Sequence, residues 1–161
     1  MRKTLLLLAA LLWLLAPGQM LADGGKREFR GAWMQCVNGM YLGKSTAEVQ
    51  RMLTHQLDEL EKDGVNAIIF QVRGECDALY ASKIEPWSRY LTGVQGQAPN
   101  PYWDPMSWMI VQCHKRGMEC HAWMVTIPLG SKKHQQSLGK LSLTKKKPAI
   151  CVPYRTEYFL N

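Results

Sequence analysis

The chain has 161 residues, a formal net charge of +7 and 47% apolar residues. Its five cysteines are too few for a scaffold built on disulfides, and an odd number leaves at least one without an intramolecular partner. Six lysines lie between Lys132 and Lys147, so the basic excess is local; with no nucleic-acid-binding motif beside it, a nucleic-acid partner is not expected.

Residues 1–22 have the form of a signal peptide. Arg2 and Lys3 precede an apolar core, Thr4–Ala16, that is shorter than the roughly 20 residues a membrane span needs. Pro17-Gly18 breaks this run, and Ala22 offers a small residue for cleavage. No cysteine follows directly, which argues against a lipid anchor. The expectation is an exported chain of residues 23–161, in the periplasm, cell envelope or extracellular space, with no stable membrane anchor after cleavage. The net charge then falls from +7 to +5, because residues 1–22 hold two basic and no acidic groups.

Phe29–Val37 reads as a first strand, ended by Asn38-Gly39. Ser45 with Glu48 forms a capping box, and Val49, Met52, Leu53, Leu57 and Leu60 follow at helical spacing until Asp63-Gly64. Val65–Val72 is the second strand, and its unbroken Ala67–Phe70 run suits a parallel sheet buried on both faces. A long polar-aromatic loop then runs to about Trp103, a length that usually signals function. Asp104-Pro105 starts a second helix, with Met106, Met109, Ile110 and Cys113 as its stripe, and Arg116-Gly117 ends it. Met118–Thr126 is the third strand, and Ile127-Pro128 leaves the sheet. The lysine-rich segment 130–147 reads as a solvated, mobile loop. Ile150–Leu160 is apolar enough to be ordered, without an assigned element.

The order β-α-β-loop-α-β predicts parallel strands. The helix-to-strand joints are tight and the strand-to-helix joints long, the asymmetry of a (β/α)8 TIM barrel. A doubly wound sheet is the runner-up; it calls for a glycine-rich phosphate turn after the first strand, and Cys36–Met40 is not one.

The chemistry concentrates after the second strand. Arg73, Glu75, Asp77, Tyr80, Glu85, Trp87, Arg89 and Tyr90 fall within eighteen residues. Charged groups beside aromatic rings suit a saccharide, whose hydroxyls need polar partners and whose C–H faces stack on rings. Asn38 ends the first strand, as turn former or ligand contact. Arg73, at an apolar strand end, needs a partner, either Glu75 or Asp77. His121 and Trp123 share a face of the third strand, His121 as ligand contact or satisfied core histidine. Trp87 is read as a pin for the loop. The Cys113-His114 and Cys120-His121 pairs match no zinc spacing, so no metal is expected, and no cofactor either.

The strings REFRGAW (Arg27–Trp33), NAIIFQVRGECDALYASKIEPWSRYLTG (Asn66–Gly93) and HKRGMECHAW (His114–Trp123) resemble the N-terminal part of the glycosyl hydrolase-like family 10 domain, a bacterial envelope family of TIM-barrel fold. The likeness fades in the lysine-rich segment and resumes at Tyr158–Asn161. It implies a glycoside hydrolase acting on a polysaccharide or oligosaccharide, with cell-wall glycan as one candidate. It also implies a fragment, about three β/α units of a barrel that needs roughly 250 residues, with the catalytic carboxylates beyond residue 161 and no activity in the fragment alone. On this reading Asn38, Arg73, Asp77, Tyr80, His121 and Trp123 line one side of the substrate groove, while Glu75 and Glu85 position others. A non-catalytic carbohydrate-binding or envelope-interaction protein stays open as the alternative, as does a decayed product that does not fold.

Overall fold

The computed structural model describes residues 28–131, 140 and 142–160. The expected signal peptide and most of the lysine-rich segment lie outside them. Three strands, β1 (Gly31–Met34), β2 (Ala67–Arg73) and β3 (Glu119–Met124), form a parallel sheet in the order β1-β2-β3. Two long helices connect them, α1 (Thr46–Lys62) and, after a one-turn α2 (Arg89–Thr92), α3 (Pro105–Lys115). Consecutive parallel strands joined by helices make the described residues part of a (β/α) barrel wall, as the element order predicts.

The helices begin where their capping chemistry dictates. Ser45 accepts from the Glu48 N–H while Glu48 reaches back to the Ser45 N–H at 2.7 Å, a closed capping box. Asp104 caps α3 by accepting from the Ser107 N–H at 2.9 Å, with Pro105 in the first turn. At the other end of α3, Arg116 lies against Asp58 of α1 and ties the two helices together.

Register decides which side chains meet. Trp33, Ile69 and His121 are paired across the sheet, as are Met34, Phe70 and Ala122 one residue on. Met34, Ile68, Phe70 and Val72 join Val49, Leu53 and Leu57 of α1 and Met109 and Cys113 of α3 in one buried cluster. Both helices therefore cover the same face. The opposite face has no helix over it: Ala67 and Gln71 of the central strand are buried there, but Trp33 is 67% exposed and packs edge-to-face on Trp123, ring centroids 5.0 Å apart. A Cβ on Gly31 would press on the edge of the Phe29 ring at 2.6 Å and the tip of Ile69 at 2.7 Å, and both side chains would have to move.

The strands are shorter than their apolar runs suggested. Arg30 already takes its backbone bonds from Asn66, whose Oδ1 accepts from the Arg30 N–H at 2.8 Å, and the chain bends after Met34. Beyond β3 lies a second sheet, antiparallel, of β4 (Pro128–Ser131), β5 (Cys151–Tyr154) and β6 (Glu157–Leu160) in the order β4-β6-β5. The unassigned tail is thus a hairpin, and it turns at Arg155, whose φ is 50°. Within the lysine-rich segment, Gly130 and Ser131 belong to β4 and Leu143–Lys146 forms a one-turn α4; residues 132–139 and 141 lie outside the described residues. Among the described residues, no helix is long and apolar enough to cross a membrane.

Candidate functional site at the C-terminal rim of the sheet

The loop after β2 is ordered by its own backbone. Leu79 N–H donates to the Val72 carbonyl at 2.8 Å, so the chain doubles back onto the end of the strand it has left. Ala78 and Trp87 then pair in a bridge: Ala78 N–H donates to Pro86 and Ser88 N–H to Ala78, both at 2.8 Å. Met106 N–H reaches the Leu79 carbonyl and fixes the loop to the start of α3. Trp87 packs against the buried cluster and meets Tyr102 edge-on, so it does pin the loop.

Two ion pairs sit in this loop, both mostly removed from solvent. Arg73 Nε donates to Glu85 Oε1 at 2.6 Å; its other nitrogens donate to the Val125 carbonyl and, at 3.0 Å, to Cys76 Sγ. Neither Glu75 nor Asp77 is its partner. Glu75 is taken by Arg89, which approaches both of its oxygens at 2.9 and 3.0 Å, and by the Tyr90 hydroxyl at 2.9 Å. The Arg89 guanidinium also lies 4.2 Å from the Tyr90 ring centroid. Gly130 of β4 backs the pair with φ +105°, and a Cβ there would come within 3.0 Å of Glu75 Oε2.

Asp77 is wholly buried, and its Oδ1 accepts from the Glu75 N–H at 3.1 Å. Burial pushes its carboxyl above the ordinary aspartate range, opposed by the Ser88 hydroxyl and the Glu75 and Gly74 N–H groups. The Tyr80 hydroxyl lies 3.5 Å from Glu85 Oε2, and burial and then Glu85 raise its pKa. Tyr90 is raised further, by burial and by the Glu75 carboxylate. Cys76 adopts φ 52°, uncommon outside glycine, where the Arg73 guanidinium and the loop meet.

Of the residues singled out from sequence, the fold brings Arg73, Asp77 and Tyr80 together at the C-terminal rim. It separates the other three. Asn38 is exposed, and its Oδ1 accepts from the Met40 N–H at 3.1 Å, which is the turn-forming role; with Trp33, Tyr41 and His55 it lines a cavity of about 460 Å³ between β1 and α1. His121 faces the opposite end: its Nε2 lies 2.8 Å from Glu119, the first residue of β3, and its ring meets Phe29 just before β1. Trp123 pairs in register with Gln71 higher on the sheet, but its ring lies on the helix-free face beside Trp33. The groove drawn through all six residues is therefore not one surface among the described residues. Position 121 is the third of the six residues of β3, and its ring turns back to Glu119 and Phe29, away from the rim.

Arg89 and Tyr90 were noted in the loop, but their partnership with Glu75 was not foreseen. The bidentate match of arginine to carboxylate was the available signal, but three acids lay in reach of two arginines and spacing does not choose among them.

A sheet whose strands end in one ordered, charged and aromatic loop is the build of a barrel enzyme's substrate side. The sequence pattern described as "Glycosyl hydrolase-like 10" matches residues 28–156, and the chain belongs to that family. It is 39% identical over 120 residues to "Glycosyl hydrolase YngK" of Bacillus subtilis (strain 168), covering 72% of this chain and 23% of that protein. It is 45% identical over 80 residues to "Glycosyl hydrolase DigH" of Escherichia coli (strain K12), covering 49% of this chain and 18% of that protein. The chain thus spans about a fifth of the length of these curated relatives.

Proposed function

We propose that this chain forms one wall of the substrate groove of an exported glycoside hydrolase that cleaves O-glycosyl bonds in a polysaccharide, with cell-wall glycan as the substrate class. Family membership and two relatives named glycosyl hydrolase support the reaction class. The single observation that carries the division of labour is the state of the rim carboxylates. Glu75 and Glu85 are each tied to an arginine, and Asp77 is buried against loop backbone. Glycoside hydrolysis needs one carboxylic acid that protonates the leaving oxygen and a second carboxylate that attacks or activates water. Carboxylates clamped in these ways serve as positioning groups, so the acid and its partner come from other strands of the full barrel. Arg73 and Tyr80, joined through Glu85, face the rim, and the buried Asp77 acts beneath them as a positioning group.

The alternative, a carbohydrate-binding role without catalysis, draws on the same pairing, since a wall of satisfied charges binds without reacting. Reducing-end release from purified glycan strands decides between them. The full gene product is expected to release reducing ends, and the 161-residue chain to release none. Turnover by the chain alone would move the catalytic acids into it, and glycan binding without turnover by the full product would establish the alternative.

A further inference from the structure

The loop after β2 borders a cavity of about 340 Å³, lined by Ser82, Glu85, Pro86 and Trp87 together with Gln95 and Lys140. Ligand pockets run from roughly 300 to 1,000 Å³, so this one has room for a single small ring system and not for a chain of them. Its frame is fixed by backbone bonds. Ala78 and Trp87 pair in a bridge, and the Gly96 N–H donates to the Trp87 carbonyl at 2.8 Å. The Trp87 ring is half-buried and meets Tyr102 edge-on. A frame already ordered loses little entropy when a ligand enters. Two polar groups of the lining have capacity left. Ser82 Oγ accepts from the Ile84 and Glu85 N–H groups, both at 3.1 Å, and its own hydrogen has no acceptor among the described residues. Glu85 Oε1 is held by Arg73 at 2.6 Å, but Oε2 has only the Tyr80 hydroxyl at 3.5 Å, too long for a strong bond. The Glu85 side chain keeps 18% of its surface exposed, so the carboxylate is not sealed.

We propose that this cavity is a subsite for one neutral pyranose unit of the glycan, formed by Ser82, Glu85 and Trp87. The inference rests on the reading of the chain as a glycan-binding wall and extends that wall beyond Arg73, Asp77 and Tyr80. The C–H face of the sugar packs on Trp87 beside Pro86. One sugar hydroxyl donates to Glu85 Oε2, and another accepts the hydrogen of Ser82. Hydroxyls match this pair because each can give or take a hydrogen, whereas the carboxylate of an acidic sugar has none to give Glu85. Trp87 thus has two tasks, pinning the loop with its buried part and carrying the sugar with the rest. Glu85 likewise serves two neighbours: Oε1 orients Arg73, and Oε2 meets the sugar.

The test titrates the 161-residue chain with oligosaccharides cut from purified cell-wall glycan strands and follows its indole N–H resonances by nitrogen–proton NMR, with Trp87 assigned through its own backbone. The Trp87 resonance is expected to shift saturably. Ser82→Ala is expected to weaken the titration about tenfold, the scale of one lost hydrogen bond. A Trp87 resonance that stays still up to the highest oligosaccharide concentration would overturn the subsite, as would shifts confined to Trp33 and Trp123 on the helix-free face. A Ser82→Ala chain that titrates like the parent would overturn it too. The result is separable from the reaction. If Trp87 shifts and the full gene product releases no reducing ends, the hydrolase reading falls and the subsite stands. If reducing ends are released and Trp87 stays still, the subsite falls alone. The unsubstituted chain decides the matter even if Ser82→Ala does not fold.

Discussion

The two faces of the parallel sheet are built from the same three strands and behave as different materials. On the helix-covered face, Ile68, Phe70 and Val72 are sealed under α1 and α3 in a cluster that is apolar but for groups such as the buried Tyr41 hydroxyl. On the other face, Trp33 and His121 stand in solvent at register positions beside Ile69. A strand buried on both sides reads as a continuous apolar run, and β2 has that run. The helices cover one of its faces; on the other, Ala67 and Gln71 are buried but Ile69 is only half-covered. Apolar sequence therefore states that a side chain expects cover, without stating which element supplies it.

The largest test of the contrast is a pair of truncations. Phe70→Ala removes a fully buried ring and is expected to cost about 3–5 kcal/mol in chemical denaturation. Trp33→Ala, on the helix-free face, is expected to cost less than about 1 kcal/mol, since little of its surface leaves water on folding. Equal losses would mean that the helix-free face is covered in solution.

The rim pairs come next. Arg89→Ala leaves Glu75 in a largely desolvated place with only Tyr90 beside it, and a loss of roughly 2–3 kcal/mol is expected, somewhat below that of a fully buried pair. Lys62→Ala breaks an exposed helix pair with Glu59, 2.8 Å apart, and should cost far less. Parity between the two would show the rim pairs to be open to water.

Asp77 gives the pH dependence. Its folded pKa is raised by burial, so the native state binds its proton more tightly than the unfolded chain does. The stabilisation is complete below the ordinary aspartate value and is lost as pH rises through the elevated folded one. Asp77→Asn keeps an acceptor for the Glu75 N–H and removes the charge. The variant should gain on the parent as pH rises from the ordinary aspartate range towards neutrality, measured as the difference in unfolding free energy at successive pH values. A difference that does not change with pH would show that Asp77 titrates normally.

A smaller effect than the core and rim losses lies at the start of α1. Ser45→Ala opens the capping box of α1 and should cost about 1 kcal/mol. Thiol reactivity adds a qualitative check: burial pushes Cys36 up to about 12, so it should alkylate far more slowly than Cys151 in the folded chain at mildly alkaline pH.

Much of the architecture was readable from local chemistry. Ser45 with Glu48 and Asp104 with Pro105 announced the helix starts, and both caps are closed in the structure. The stripe from Val49 to Leu57 and the run Ala67–Phe70 announced the face on which helix meets sheet. The site was less legible. That the loop after β2 carries the polar and aromatic groups was visible, and Arg73 did need a partner. That the partner is Glu85, twelve residues on, was not, because the choice depends on how Ala78 and Trp87 fold the loop back.

Sequence alone determined the three strands of the first sheet, their parallel order, the two long helices and the place where charge gathers, because caps, hydrophobic period and turn residues act over a few neighbours. Tertiary structure alone decided how far each strand extends, which acid each arginine takes, and that His121 faces the end opposite Arg73. Those outcomes rest on register and loop closure, and each is a competition among distant groups that no local pattern ranks.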